Sequence, residues 1–577
     1  MSKVTRRAFL EKTGTTFAAG AVPIGARAAI GKGKETRRSK TPMIEDAARN
    51  GIAGCVVEWS YNSGKAYADP FNDVGLDVVF TDPQGHEQTV PAFWAGEQTW
   101  RIRYAPRAAG NYAYRTVASD SANGDLHGRH GALEVTSYEG DNPLRKHGPI
   151  HVSADQRHFE HADGSHFFWL GDTWWMGLCK RLRWPEDFQQ LAADRVAKGF
   201  TVIQIVAGLY PDMPPFDPRG ANEAGYPWEA DYSHINPGYF DAADLRIQHL
   251  VEVGLTPCVV GCWGYFLQMM GVAKIKKHWR NLVARWGAYP VIWCLAGEGA
   301  MPFYLSKTKP EDAAAQRQGW TEVAKYVRQI DPYHHVITIH PTDSARNQVE
   351  DPSVLDVDML QTGSSMPNIP RTVNGIVDSL LREPRMPVVD GEVVYEGMLG
   401  GAVGQDLERF AFWTCTLNGA GGHTYGANGI WQVNREEKPF GPSPSGNCWG
   451  NTPWNVAAAL PGSKQVGLGK KFLLRYEWWR FEPHPEWADP HWSKDAYQQP
   501  YGGGIPGQLR LIYIPATRKL PKVVNLEWTI SYRAFFFDPA TGEEHEVGDV
   551  AADSSGSWQV PITPTYADYV LVLEKKA

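Results

Sequence analysis

The sequence predicts an α/β fold, a (β/α)8 TIM barrel flanked by N-terminal and C-terminal β-sandwich domains, and three observations carry that prediction. The chain has 577 residues, more than one core of ordinary size can organise, so two to four domains are expected. Eight short apolar runs recur between about residues 167 and 425, with helical stretches between most of them. That alternation, over roughly 300 residues, is the signature of a parallel barrel wrapped in helices. The flanking segments carry short β-favouring runs broken by turn residues, the rhythm of small antiparallel sandwiches.

From the N-terminus, Arg6-Arg7 precedes a Gly/Ala-rich run from about Thr13 to Ile24, and Ala26-Arg27-Ala28 follows. Basic residues, a weakly apolar run and an A-x-A site in that order read as a twin-arginine export signal over 1–28. The run is too short to span a bilayer. A periplasmic or secreted protein is expected, with the Tat export machinery as a partner and no integral membrane contact. A polar linker over 29–50 leads to a sandwich at 51–137, with strands expected at Cys55–Trp59, Gly75–Phe80, Thr99–Tyr104 and Asn111–Val117.

The barrel is placed at 142–478. Its strands are expected near 167, 200, 255, 291, 335, 357, 388 and 422, and helices at Ala242–Gly254, Ala273–Trp286 and Asp312–Ile330. Trp184-Pro185-Glu186-Asp187 marks a further helix start, with proline in the first turn and acids at the positive end of the dipole. The runs show little apolar–polar alternation, as strands covered on both faces do. A second sandwich follows at 482–577, from runs such as Leu509–Ile514, Tyr532–Phe537 and Tyr569–Leu573.

Composition narrows the function classes. Hydrophobic residues make up 43%, charged residues 21%, and the net charge is -7, so nucleic acid is not expected as a partner. The 23 Trp, 24 Tyr and 22 Phe belong mostly to cores, with some left to line a groove for flat, hydroxylated ligands. Seven cysteines are few and odd in number and make no disulfide framework. Cys258 and Cys262 have neither a CxxC pattern nor a His cluster beside them. Buried free thiols, no metal and no cofactor are expected.

Barrel enzymes carry their working groups at the C-terminal ends of strands. Asp172, Glu298 and Glu392 meet that condition on the first, fourth and seventh strands. Glu298 and Glu392 lie 94 residues apart, about three βα units of roughly 30 residues each, so they face each other across the mouth. Two converging carboxylates are what glycoside hydrolysis needs: one protonated to donate to the leaving oxygen, one ionised to attack C1 or activate water. Glu392 is the expected nucleophile and Glu298 the acid/base. Asp390, two residues before Glu392 on the same strand face, and Glu396, in the following loop, are expected to orient neighbours.

Trp169–Trp175, Ile235–Phe240, Gly391–Gly397 and Gly422–Trp431 together resemble the apiosidase-like glycoside hydrolases, (β/α)8 enzymes acting on plant cell-wall glycans. The leading sandwich is similar to the DUF5060-type accessory domain found before such barrels, and the tail resembles a β-domain named for collagen binding. The resemblance implies Glu298 and Glu392 as the catalytic pair. Two departures stand out. Many retaining barrel glycosidases carry Asn-Glu at the fourth strand, where this chain has Gly297-Glu298, and the family often has Asp in place of Glu298.

Strand-end position adds Asp172, Trp174, Trp263, His340, Gln361, His423, Tyr425, Asn428 and Trp431 as candidate contacts to an oligo- or polysaccharide. Two other readings stand beside the apiosidase-like one: a non-catalytic carbohydrate-binding barrel, and a β-glucosidase- or galactosidase-like enzyme. A metal-dependent hydrolase would want His-x-His on the first strand, where the chain has Asp172-Thr173-Trp174.

Overall fold

The computed structural model describes residues 44–364, 368–517 and 519–576. The stretch read as an export signal and most of the expected linker lie outside the described residues. Its centre is a parallel eight-stranded sheet rolled into a barrel: β1 (Trp169–Thr173), β2 (Val202–Val206), β3 (Thr256–Val260), β4 (Ile292–Cys294), β5 (Ile337–Thr338), β6 (Asp358–Ser364), β7 (Val388–Val394) and β8 (Gly422–Tyr425). Hydrogen-bonded neighbours run β5-β4-β3-β2-β1-β8-β7-β6. The seam between β5 and β6 is joined by the Asp356 N–H to the Ile337 carbonyl at 2.8 Å, the Thr338 hydroxyl to the Val357 carbonyl at 3.0 Å, and a bridge between Ser344 and Leu360.

All five residues of β1, β2 and β3 are buried, which is why their sequences do not alternate. Helices α1 (Glu186–Ala197), α2 (Pro237–Glu252), α3 (Phe266–Trp286) and α4 (Lys309–Ile330) follow β1 to β4. Helices α5 (Ile369–Leu380), α6 (Gln405–Leu417) and α7 (Pro461–Leu473) follow β6, β7 and β8. The Asn236 side chain accepts from the Tyr239 N–H and Pro237 fills the first turn of α2, where a proline loses no helical bond. Between β5 and β6 the chain forms two 3-10 turns, Ala345–Gln348 and Pro352–Val354, in place of a barrel helix. Asp358 ties this connection down, accepting from Arg346 Nε at 2.9 Å and the Ser344 hydroxyl at 2.8 Å.

Both flanking domains are two-sheet sandwiches. In the N-terminal one, a six-stranded sheet faces a three-stranded sheet of Val57–Asn62, Thr99–Tyr104 and Phe93–Gly96. Ile44–Glu45, inside the stretch read as linker, and Arg49–Ile52, which crosses its end at residue 50, already pair with Arg129–Thr136. In the C-terminal domain Leu509–Ile514, Tyr532–Phe537 and Tyr569–Lys575 form the centre of a second six-stranded sheet. No disulfide joins the seven cysteines, all of which are described; five are buried, Cys55 is half-buried and Cys448 is exposed. Among the described residues no helix is long and apolar enough to cross a membrane.

Buried charge fastens the sandwiches to the barrel. Arg103 donates to Asp244 at 2.6 Å, to Glu58 at 2.6 Å and to the Arg285 carbonyl at 2.9 Å. Arg409 of α6 grips Asp568 of the C-terminal domain with two bonds, at 2.9 and 2.6 Å. Removing one member strands the other without water, which costs about 3–5 kcal/mol for a buried pair. Arg409→Ala is therefore expected to lower the unfolding free energy by about that much in a denaturant titration. A change within ~0.5 kcal/mol, the range of ordinary surface substitutions, would show that the pair does not hold the domain.

Candidate active site

A cavity of about 220 Å³ opens at the C-terminal end of the barrel. Glu298 and Glu392 line it together with Asp212, Gln361 and the rings of Trp175, Trp263, Tyr304, Tyr395, Trp431 and Trp449. Each comes from a strand end or the loop that follows it, so the barrel aims all of them at one point.

Gln361 joins the two glutamates. Its Nε2 donates to Glu392 Oε1 at 2.7 Å and to Glu298 Oε1 at 3.2 Å. With one nitrogen bonded to both, the two oxygens stand no more than about 6 Å apart, near the short separation of a carboxylate pair that forms a covalent intermediate. Glu392 is buried, and its second oxygen lies 3.0 Å from His340 Nε2; the Nε2–H tautomer donates to it. Trp263 Nε1 donates to Glu298 Oε2 at 3.2 Å.

The Glu298 backbone is left-handed, with φ 46°, a strained conformation for a side chain with a Cβ. Gly297, just before it, explains the missing asparagine. A Cβ there would sit 2.2 Å from the Trp263 ring, so the indole occupies the space a larger residue would take.

Burial pushes the Glu298 carboxyl from its ordinary 4.5 up to about 8, the negative charge of Glu392 adds to this, and Asp212 adds further. Its hydrogen bonds from Gln361 and Trp263 pull the other way. Glu298 thus holds its proton at neutral pH, as a general acid must. Asp212, in the loop after β2, is pushed up to about 6 by burial and then by the Glu392 charge, against a hydrogen bond from Tyr304.

A bulge decides where Glu392 points. On β6 and β7 Leu360 pairs with Asp390 and Gln361 with Glu392, so Gly391 is the extra residue. Two residues apart on a regular strand share a face; the bulge cancels that. Asp390 consequently faces the helices, not the cavity. It accepts from the Thr362 hydroxyl at 2.7 Å beside Cys415 of α6, and burial pushes it up to about 7. The expectation that Asp390 shares a face with Glu392 is corrected here. A Cβ on residue 391 would meet Met359 at 2.3 Å, so this bulge requires glycine.

The model of the apiosidase-like catalytic domain matches residues 153–480, more than half of the chain. The chain belongs to the apiosidase-like family. It is a glycoside hydrolase, and the carboxylate pair sits in its apiosidase-like barrel. Residues 55–119 match a second model, a domain of unknown function, DUF5060.

Among solved structures the chain is similar to a glycoside hydrolase at 21% identity (TM-score 0.62, covering 76% of this chain and 98% of the other). It is also similar to a candidate glycoside hydrolase from Bacteroides vulgatus ATCC 8482 at 18% identity (TM-score 0.68, 92% and 100%). A third is a family 5 glycoside hydrolase from the same organism at 20% identity (TM-score 0.62, 76% and 95%). These likenesses bear on the fold. Among curated proteins no relative matches.

Within the apiosidase-like barrel, the sequence candidates divide by where their side chains go. Trp263, Gln361 and Trp431 line the cavity, and His340 lies one step behind, on Glu392. The other five do not line it. Asp172 is fully buried and paired with Arg195 at 2.6 Å, and Trp174 donates to Asp172 at 2.8 Å. Tyr425 donates to Glu396 at 2.6 Å, and Asn428 accepts from Gln432 at 3.0 Å. His423 packs edge-on against Phe412 of α6, and burial pushes its imidazole down to about 3. All five turn toward the helix layer or neighbouring loops. Alternation explains part of this: Asp172 and Trp174 share one side of β1 and its extension, while Trp175, one residue on, takes the cavity side.

A larger cavity, of about 580 Å³, lies between the N-terminal sandwich and the barrel. Its acids are all paired, Asp241 and Asp244 with Arg285 at 2.9 Å each and Glu58 with Arg103 at 2.6 Å, so none is poised for chemistry.

Two outcomes follow from this geometry. Gly391→Ala forces Met359 aside and is expected to cost about 1–3 kcal/mol of stability, with a larger loss of kcat as Glu392 is re-aimed; Gly391→Ala with Met359→Ala should recover part of both. Unchanged kcat in the single variant would remove the bulge from the mechanism.

The second concerns pH. The folded chain keeps the Glu298 proton up to about 8 while the unfolded chain releases it near 4.5, so this residue costs stability as pH rises through that window. Glu298→Gln is expected to match the wild-type Tm at pH 4.5 and to exceed it increasingly toward pH 8. A constant Tm difference across the window would contradict the raised value.

Proposed function

We propose that the chain is an exported, retaining exo-glycosidase of plant cell-wall-type glycans, with Glu392 as nucleophile and Glu298 as acid/base. The single observation that supports this most strongly is the Gln361 amide bonded to both carboxylates, which keeps their nearest oxygens within about 6 Å, short of the ~6.5–9.5 Å that leaves room for an attacking water.

In the first step Glu298 gives its proton to the glycosidic oxygen as Glu392 Oε attacks C1. The C1–O bond breaks, the leaving alcohol departs neutral, and a glycosyl ester forms on Glu392. In the second step Glu298, now ionised, takes a proton from water, which attacks C1 and frees Glu392. His340 and Gln361 orient the attacking carboxylate by binding one oxygen each.

A cavity of about 220 Å³ is smaller than the ~300–1,000 Å³ that holds a drug-sized ligand. It suits one sugar ring walled by indoles, which supports exo action. Export rests on the Arg6-Arg7 signal; the proposed location is the periplasm or the outside of the cell.

A screen of aryl glycosides and plant polysaccharides, wild type against Glu392→Gln, tests the assignment. Loss of about 10³-fold or more in kcat is expected for the residue of the covalent step, and a variant within tenfold of wild type would remove Glu392 from it. Proton NMR of the first-formed sugar should show the substrate's anomeric configuration; inversion would refute retention. The wild-type kcat/KM should fall as pH climbs through about 8, where Glu298 loses its proton. Asp212→Asn, by removing a repelling charge, should move that alkaline limb to lower pH.

A further inference from the structure

At the opposite, N-terminal end of the barrel, Ile150–Val152, Phe159–His161 and His166–Phe167 form a three-stranded antiparallel sheet just before β1. His151 stands opposite Glu160, and Glu160 opposite His166. Residues paired across strands share a face, so these three make a row. His158, two residues before Glu160, joins them on that face.

The donor atoms converge. His158 Nε2 lies 3.2 Å from His166 Nδ1 and 3.4 Å from Glu160 Oε1, and His166 Nδ1 lies 3.5 Å from the same oxygen. Bonds of about 2.0–2.2 Å to a tetrahedral zinc ion place N and O ligands about 3.4 Å apart. All three edges of the triangle fit that spacing. Among the described residues this is the one group of three or more His, Cys, Asp or Glu ligand atoms gathered so closely.

Hydrogen bonds alone serve the triangle poorly. Asp155 Oδ1 lies 3.4 Å from His158 Nδ1, a carboxylate behind an imidazole, as metal-ligating histidines commonly have. At that distance the contact is an ion-pair approach and not a hydrogen bond, and His158 Nδ1 is a buried nitrogen with no hydrogen-bond partner among the described residues; a cation at the centre would serve all three edges of the triangle. The rings are also held in place. Trp479 stacks on His166 at 3.8 Å and 20°, and Trp478 meets His158 edge-on at 5.8 Å.

We propose that His158, Glu160 and His166 bind a divalent transition-metal ion of the zinc class, with water or His151 as the fourth ligand. His151 Nε2 already lies 3.7 Å from Glu160 Oε2 with its side chain half-exposed. Two or three imidazoles and one carboxylate suit Zn²⁺, Co²⁺ or Ni²⁺ rather than Ca²⁺ or Mg²⁺. The ion is structural: it clamps the floor sheet against the Trp478–Trp479 turn, a full barrel's length from Glu298 and Glu392. The sequence reading expects no metal because it looks for clusters beside cysteines and on the first barrel strand.

The test uses untagged full-length protein stripped with a chelator and titrated with Zn²⁺ by calorimetry and with Co²⁺ by visible absorption. One Zn²⁺ per chain, the intense visible bands of four-coordinate Co²⁺, and a Tm raised by several degrees with Zn²⁺ are expected. Affinity should fall as pH drops, because protons compete with the metal for its ligands. Glu160→Gln, which keeps the shape of the site, should weaken binding at least tenfold, and His158→Ala with His166→Ala should abolish binding and the Tm rise. Stripping the metal should leave kcat unchanged. Failure of the wild type to bind one ion, or wild-type affinity in Glu160→Gln or in the double variant, overturns the site, and loss of kcat on stripping overturns its structural role.

Discussion

Two carboxylates whose nearest oxygens one amide holds within about 6 Å are the constraint on which this molecule's chemistry depends. Like charges at that range, away from bulk water, cannot both ionise cheaply. The protein resolves the conflict by asymmetry. Glu392 receives hydrogen bonds on both oxygens from neighbours that cannot move away, while Glu298 faces burial, a negative neighbour and a second acid, Asp212, and keeps its proton. The same arrangement that costs stability assigns the proposed roles of nucleophile and acid.

Holding that arrangement requires a rigid frame, and the frame is visible in how strain is placed. Glu298 sits in a left-handed conformation, Gly391 is squeezed out as a bulge, and Gly297 yields its side-chain space to Trp263. The Glu298 conformation is costly alone and persists because packed neighbours leave no alternative; the two glycines make room for the ring and side chain that pack beside them. The buried ion pairs that fix the sandwiches to the barrel, Arg103 with Asp244 and Arg409 with Asp568, work in the same sense. They add little net stability in themselves, but separating their partners is expensive, so the domains do not drift.

The barrel was legible in the sequence because strands covered on both faces produce long apolar runs, and eight such runs appear. Glu298 and Glu392 were legible because each closes one of those runs. What could not be read was direction. A run buried on both sides gives no hint of which residue turns inward, so Asp172, Trp174, His423 and Tyr425 looked as eligible as Trp175, which the reading passed over. The Gly391 bulge was hidden for a related reason: one extra residue inverts the parity of everything after it, and only pairing with β6 reveals it. Asp212, Tyr304 and Trp449 lie in long loops with no periodicity, and nothing local marks them. The connection between β5 and β6 is a like case, since its first 3-10 turn is tied to Asp358 at the start of β6 by side-chain bonds that no local pattern shows.

The position of Trp263 bears on recognition. Where many retaining barrels place an asparagine to hold a sugar hydroxyl, this chain has Gly297, and the indole that lies across it donates its N–H to Glu298. A hydroxyl-binding amide has thus been exchanged for an aromatic wall that also steadies the acid. The amide function has a substitute close by: Gln361 reaches both glutamates from β6, between the positions where the nucleophile and the leaving group would meet the sugar. Among the described residues its carbonyl oxygen accepts no hydrogen bond, while its nitrogen spans the pair. A sugar bound there would be read by one amide and by surrounding ring faces, so selection would rest on the shape of the ring and the placement of few hydroxyls rather than on a dense polar network.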